Sequence, residues 1–360
     1  MPNSSAVSPN AIAAANRGAG AVRSAFDEAA LAAWLTGHVA GYAGPLSVEQ
    51  FNGGQSNPTY RLTTPGTRYV LRRKPPGTTV KGAHDVLREA RVQRALAATA
   101  VPVAPILGTC DDDSVIGSAF YVMGLVDGRV IWDASFGEVP VGQRASYYDE
   151  MNRVIAALHS LDHVALGLGD YGKPGNYFAR QLGRLSKQYL DDEVAGRDPD
   201  MDALVEWLPG AIPEGDETTI VHGDFRCDNM IFHPTEPRVL AVLDWELSTL
   251  GNPLADFAYH AMMYTMPPDI VAGLGGADPV ALGLPTEAEY VAAYCARTGR
   301  SGIPDWDCYV AFNYFRLAAI FHGIKGRALR GTASNAQALE RAAAFPRLTR
   351  LGREAMERCR

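Results

Sequence analysis

Residues 219–246 read TIVHGDFRCDNMIFHPTEPRVLAVLDWE, and three oxygen-bearing side chains in that stretch could do chemistry: Asp224, Asn229 and Asp244. Carboxylate and amide oxygens are hard donors. Magnesium binds through one or two carboxylates and completes its shell with water and phosphate. The set therefore suits Mg²⁺ beside a phosphate, while Asp224 has a second use, contacting a hydroxyl and orienting it. Taken singly, these residues are ordinary turn formers. On that plainer reading Asp224 and Asp228 shape a loop and Asp244 ends a strand. Together, at this spacing, they read as a site.

Their placement depends on the apolar runs around them. Ile220-Val221, Met230-Ile231-Phe232 and Val239-Leu240-Ala241-Val242-Leu243 are short and apolar, and His233-Pro234-Thr235-Glu236-Pro237 is a turn. Such runs predict a hairpin of buried strands. Asp224 and Asn229 then precede its first strand and Asp244 leaves its second, so both strand ends share one rim. Loops carried on a rigid hairpin are common places for catalytic groups.

Upstream, residues 46–51 predict a strand running into Asn52-Gly53-Gly54-Gln55-Ser56-Asn57. A loop of small polar residues between strands can lay backbone N–H groups over phosphates, although Gly53-Gly54 also suits a simple hairpin turn. Residues 59–63 and 69–72 predict two further strands, and a helix is expected over 84–96. Arg72 and Glu89 can then meet across a strand–helix contact; two solvated side chains are the alternative. Residues 102–107 and 119–123 supply two more strands, with Asp111-Asp112-Asp113 turning between them, and Gly124 with Asp127-Gly128 marks a hinge.

Beyond the hinge the pattern is mainly helical. Ser24 opens a capped helix near the start, Ser146 with Asp149 resembles a capping box, and Thr286 with Glu289 forms another. A helix over 179–189 carries Arg180, Arg184 and Lys187 as one basic stripe, the usual sign of a wet face. A long buried helix is expected over 309–324, and a helical remainder follows. The division expected is a disordered tail over 1–23, a first lobe over 24–124 and a second over 125–360.

Composition narrows the function. With 360 residues, 47% hydrophobic and 20% charged, the chain is an ordinary globular protein of one large or two smaller domains. A net charge of −7 argues against nucleic acid as the main partner. No apolar run approaches the ~18 residues that span a bilayer. Five scattered cysteines without a CxxC pair point to reduced thiols in a cytoplasm. No Walker A, G-x-S-x-G or H-E-x-x-H is present. The G-x-G-x-x-G of Gly167-Leu168-Gly169-Asp170-Tyr171-Gly172 follows a helical pattern and runs into Lys173-Pro174-Gly175, which is the wrong context for a dinucleotide fingerprint.

HGDFRCDN followed by VLDWE, with FNGGQSNPTYRL and YVLRRKPPG upstream, resembles the aminoglycoside phosphotransferase / choline kinase family of protein-kinase-like enzymes. The likeness is strongest to the phosphotransferase domains fused in animals to acyl-CoA dehydrogenase family members ten and eleven, and to their stand-alone bacterial relatives. It runs over residues 46–324. The resemblance implies an α+β, two-lobed protein-kinase-like fold, with a small β-rich N-lobe, a larger helical C-lobe and ATP in the cleft. It also implies Asp224 as the catalytic aspartate and Asn229 and Asp244 as holders of Mg²⁺. Arg72, steadied by Glu89, would stand where protein kinases have a third-strand lysine. Gly53, Gly54, Gln55, Ser56 and Asn57 would cover the phosphates, and Tyr121, Val122 and Met123 would offer backbone to adenine. Asp244-Trp245-Glu246 replaces D-F-G, and no A-P-E is present, so a protein substrate is not expected.

The expected activity is ATP- and Mg²⁺-dependent phosphorylation of a small-molecule alcohol, with no nucleic-acid or membrane partner. Arg180, Arg184 and Glu246 are candidate substrate contacts. Their basic share favours an anionic acceptor, and the relatives imply a hydroxy acid or hydroxyacyl-CoA. The alternatives are an aminoglycoside or choline-type alcohol kinase, a nucleotide-binding pseudokinase without turnover, and a metal-dependent phosphohydrolase using Asp224, Asp244 and His222.

Overall fold

Strand and helix alternate in the first part of the chain because its apolar residues switch from period two to helical spacing. The structure is a computed structural model that describes residues 19–20, 26–51, 57–75, 85–212, 217–332 and 338–359. In chain order the strands begin with β1 (Ala19–Gly20), β2 (Ser47–Phe51), β3 (Thr59–Thr63), β4 (Arg68–Arg73), β5 (Ile106–Cys110) and β6 (Phe120–Gly124). They form one sheet ordered β1-β2-β3-β4-β6-β5, antiparallel throughout. Four helices accompany them: α1 (Glu28–His38), α2 (Val86–Leu96), α3 (Asp113–Ile116) and α4 (Val141–His159).

Alternation along β4 and β6 decides what each face buries. Leu71, Phe120 and Val122 join Leu31 and Leu35 of α1 in one apolar cluster. Val70, Tyr121 and Met123 join Val86 and Ala90 of α2 in another, which also takes in Ile231, Ala241 and Leu243. Arg72 shares the parity of Val70, so its side chain leaves the sheet on the α2 face.

The chain divides into two compact units. The first comprises Met1–Leu158, Asp162–Gly169 and Arg226–Ser248; the second comprises His159–Leu161, Asp170–Phe225 and Thr249–Arg360. The returning segment of the first unit forms the predicted hairpin, β8 (Met230–Phe232) against β9 (Val239–Val242). Ile220 and Val221 are not part of it. They belong to β7 (Thr219–Val221), which pairs with β10 (Thr249–Gly251) in the second unit. Helices α5 (Tyr177–Asp191), α6 (Pro199–Ala211), α7 (Pro253–Ala261), α8 (Pro268–Val271), α9 (Glu287–Thr298), α10 (Trp306–Leu329), α11 (Ala338–Ala342) and α12 (Phe345–Arg358) complete that unit. Burial of α10 is almost all-round, from Cys308 to Gly323, as its apolar circumference requires. Among the described residues no helix is long and apolar enough to cross a membrane.

Several boundaries differ from expectation. Asp27 caps α1 by accepting the N–H groups of Ala29 and Ala30 at 2.9 Å, while Ser24 lies outside the described residues. Helix α4 starts at Val141, which leaves Ser146 and Asp149 inside it rather than at its cap. β5 begins only at Ile106, since Pro102 and Pro105 bring no N–H to a ladder. The Thr286–Glu289 capping box is present as predicted.

The expectation of five reduced thiols is overturned. Cys308 and Cys359, far apart in sequence, meet as a disulfide with Cα atoms 5.3 Å apart, joining the start of α10 to the end of α12. Cys110, Cys227 and Cys295 remain buried thiols. Alkylation of the denatured, unreduced protein is expected to label those three cysteines, and mass spectrometry after reduction should show five. Closing a loop of 51 residues, the bridge should contribute about 2–4 kcal/mol to the unfolding free energy. Five labels without reductant would remove it.

Candidate active site

In the first unit, three of the candidate nucleotide residues, Asn57, Glu89 and Tyr121, are linked in one network with a fourth, Arg72. Arg72 is only 3% exposed. Its Nε lies 2.8 Å from Oε2 of Glu89 on α2, and its Nη2 lies 2.9 Å from Oδ1 of Asp244 and 3.4 Å from Oε2 of Glu246. Burial works against the charge, yet Glu89 first and Asp244 next outweigh it and hold the pKa above the ordinary arginine value. Glu89 also accepts from Asn57 Nδ2 at 2.7 Å and from the Tyr121 hydroxyl at 3.3 Å. The expected Arg72–Glu89 contact is thus formed, and the contact extends to the strand-end carboxylates.

Asn229 and Asp244 stand at the two strand ends of the β8–β9 hairpin. A 3₁₀ turn over Cys227–Asn229 buries Asn229 completely, and its carbonyl accepts the Leu243 N–H at 2.8 Å. Asp244 follows immediately, at φ 64° in the left-handed region, one that aspartate tolerates better than most residues. Trp245, buried beside it, fixes the turn by donating its indole N–H to the Val242 carbonyl at 3.0 Å. Asp228 is engaged by Arg226 at 2.6 Å. An amide oxygen and a carboxylate on adjacent strand ends fit magnesium that takes its other ligands from water and phosphate.

Tyr121, Val122 and Met123 lie inside β6, paired with β4 on one side and β5 on the other. The N–H groups of Gly124 and Leu125 are taken as well, by the carbonyls of Pro105 at 2.9 Å and Arg68 at 3.4 Å. Glu246, a candidate substrate contact, pairs with Arg72 at 3.4 Å. Gly53, Gly54, Gln55 and Ser56 fall outside the described residues.

Asp224 belongs to the second unit, on the loop after β7. The Tyr259 hydroxyl donates to its Oδ1 at 2.6 Å, and its backbone N–H donates to Nδ1 of His222 at 3.2 Å. Gly223 takes φ 84°, where a side chain would be strained. The loop is gripped by Asp256 of α7, whose two carboxylate oxygens each accept one N–H, from His222 and from Gly223, at 2.8 Å. Burial alone would raise the Asp256 carboxyl, but its bond to His159 and the His222 N–H bring it down to about 2. His260 donates from Nδ1 to the Phe225 carbonyl at 3.0 Å and accepts the Tyr290 hydroxyl at Nε2, 2.6 Å away. Arg316 of α10 donates to the Gly223 carbonyl at 2.6 Å.

Asp256, Tyr259, His260 and Arg316 were not singled out in the sequence. A signal existed: Asn252-Pro253 opens a helix whose apolar run is broken by Asp256 and His260, four residues apart on one face. A charge there must be paired if buried.

Arg180 and Arg184 lie on α5, also in the second unit. Arg180 donates to the Lys173 carbonyl at 2.6 Å, and Arg184 to Oε1 of Gln181 at 2.8 Å.

Removing one member of a buried ion pair strands its partner, at a cost of about 3–5 kcal/mol. Arg72→Met is therefore expected to lower the unfolding free energy by that amount in urea titrations, and a loss below about 1 kcal/mol would show that the cluster does not depend on it. A second test concerns pH. Burial lowers the His260 pKa from 6.5 to about 4. The unfolded chain then binds this proton near pH 6.5 while the folded protein refuses it, so stability is full above 6.5 and falls toward pH 4. The expected loss by pH 4 is about 3 kcal/mol. It should be read as the difference in pH slope between the wild type and His260→Gln; identical slopes would exclude it.

Comparison with known proteins bears on family and fold. Acyl-CoA dehydrogenase family member 10 of Mus musculus is 44% identical over 297 residues, covering 82% of this chain but 28% of the relative. Family member 11 of Gallus gallus is 44% identical over 319 residues, with 86% and 41% covered. The chain thus spans well under half the length of these relatives. A crystal structure of a candidate aminoglycoside phosphotransferase from Ralstonia eutropha shares 53% identity at a TM-score of 0.86, covering 93% of this chain and 100% of its own. The fold is accordingly the kinase-like one, with an antiparallel sheet in its N-terminal part and a helical C-terminal part. With residues 47–312 matching its family pattern, the chain belongs to the phosphotransferase enzyme family.

Proposed function

We propose that this ATP-dependent phosphotransferase uses Asp224 to orient the hydroxyl of a small anionic acceptor, a hydroxy acid or hydroxyacyl-CoA, for attack on the γ-phosphate. The observation that carries the reading is the fixing of the Asp224 carboxylate by Tyr259 on a loop clamped from behind by Asp256. Phosphoryl transfer asks a protein mainly to position groups and neutralise charge. Clamping the loop supplies the first, because the carboxylate cannot swing away from the hydroxyl it must meet.

For the nucleotide, Arg72 is the candidate partner of the phosphates, with Glu89 holding it. Asn229 and Asp244 would hold magnesium, which when bound neutralises charge on the phosphate oxygens. The end of β6 around Tyr121, Val122 and Met123, and the backbone that follows it, is the candidate for adenine. A choline-type or aminoglycoside acceptor is cationic and finds little support near Asp224, where Arg316 brings positive charge. A pseudokinase has no need of Asp224, Asn229 and Asp244 together. The buried thiols Cys110, Cys227 and Cys295 support a cytoplasmic location, against which the Cys308–Cys359 bridge stands.

ADP release should be measured over hydroxy acids, hydroxyacyl-CoAs, choline-like alcohols and aminoglycosides. Asp224→Asn is expected to lower kcat by about 10²–10⁴-fold with ATP still bound, while Asp244→Ala weakens Mg·ATP binding itself. Near-wild-type turnover in the first variant would refute the role of Asp224.

A further inference from the structure

The basic stripe of α5 separates into three different environments. Lys187 is exposed and paired with Asp191 at 2.7 Å on its own helix. Arg180 turns back to the Lys173 carbonyl. Arg184 meets no carboxylate among the described residues; its side-chain partner is the neutral amide of Gln181.

Helix α5 runs beside α10, and two contacts set their register. The Phe178 and Phe312 rings lie 4.9 Å apart, and Gln188 Nε2 donates to the Ala319 carbonyl at 3.2 Å. Arg184 and Arg316 fall between these points on the two helices. Arg316 is 9% exposed and also lacks an ion pair among the described residues. It uses the Gly223 carbonyl and the face of Tyr259, whose ring centre lies 5.1 Å from its guanidinium carbon. That tyrosine holds Asp224. Proximity of the two cations leaves an electrostatic mark: burial first and Arg316 second lower the Arg184 pKa. Arg316 also feels the carboxylates of Asp256 and Asp224, which help to hold its pKa up against burial. Arg184 has only the repulsion of Arg316 against it, and a bound anion relieves that.

We propose that Arg184 and Arg316 form a subsite for an anionic group, a carboxylate or a phosphate, on the hydroxyl-bearing acceptor. It rests on the phosphotransferase reading above and gives it a specificity element. Arg316 ties the subsite to the Asp224 loop, so an acceptor anchored there by its charge presents its hydroxyl near a fixed carboxylate. Arg184 is the more exposed of the two, although its guanidinium is partly desolvated, and supplies the half of the subsite that can be altered without disturbing the core.

The test uses the full chain with ADP present and three probes: 3-hydroxybutanoate, its methyl ester and 3-hydroxybutanoyl-CoA. Binding is followed by saturation-transfer NMR, separately from ADP release with ATP. The free acid or the CoA thioester should bind while the methyl ester does not. Arg184→Glu should weaken that binding at least tenfold, Arg184→Lys should restore much of it, and Asp224→Asn should leave it in place. Preference for the acid identifies a carboxylate subsite, and preference for the thioester alone a phosphate one. Equal binding of ester and acid, indifference to Arg184→Glu, or no binding of either anionic probe would overturn the subsite. Charge-selective binding without ADP release would instead keep the subsite and count against turnover of these acceptors.

Discussion

A buried cation needs an answering charge, and the first unit is built around one such demand. Arg72 leaves β4 on the face covered by α2, where no water can solvate it. Glu89 on α2 and Asp244 and Glu246 after β9 supply the countercharge. Two separate stretches of chain are thereby tied to β4 by one side chain. Neither partner could be kept alone in that environment, since an uncompensated buried charge costs several kcal/mol. The ladder register that sets Arg72 opposite Tyr121 brings the phenol into the same network through Glu89.

The second unit solves a different problem with the same physics. A loop carrying Asp224 has backbone N–H groups that no strand or helix uses. Asp256 accepts two of them, and His260 and Arg316 engage the carbonyls of Phe225 and Gly223. These charged and polar groups come from α7 and α10, whose remaining faces are apolar and buried. Fixing a loop in this way costs nothing at the moment of reaction, because its conformational freedom was lost on folding.

Local chemistry in the sequence made the hairpin readable: apolar runs of strand length, a Pro-bounded turn, and Asn229 and Asp244 at the ends. The Thr286–Glu289 box was equally plain, because both of its partners lie within one turn. What could not be read depends on distant pairing. Ile220 and Val221 look like any apolar run, and only Thr249–Gly251, far along the chain, makes them a strand of another sheet. Asp256 reads as a helix residue until the loop it clamps is folded against it. Tyr121–Met123 reads as a strand, but its neighbours, β4 on one side and β5 on the other, are set only by the folded sheet. Ser146 and Asp149 show the converse: a capping pattern inside a longer helix counts for nothing when residues before it continue the turn.

The identity of residue 72 follows from the same constraint. Protein kinases place lysine on this strand, a single ammonium at the end of a flexible stem. A guanidinium is a planar fork whose Nε and Nη groups point in different directions. Here Nε serves Glu89 while Nη2 serves Asp244 and Glu246, two directions at once. An ammonium placed to meet Glu89 would leave Asp244 and Glu246 without a partner of comparable geometry, or the reverse. The second acidic residue of Asp244-Trp245-Glu246 and the arginine of β4 are thus one arrangement: a turn that offers two carboxylates calls for a cation able to face more than one way.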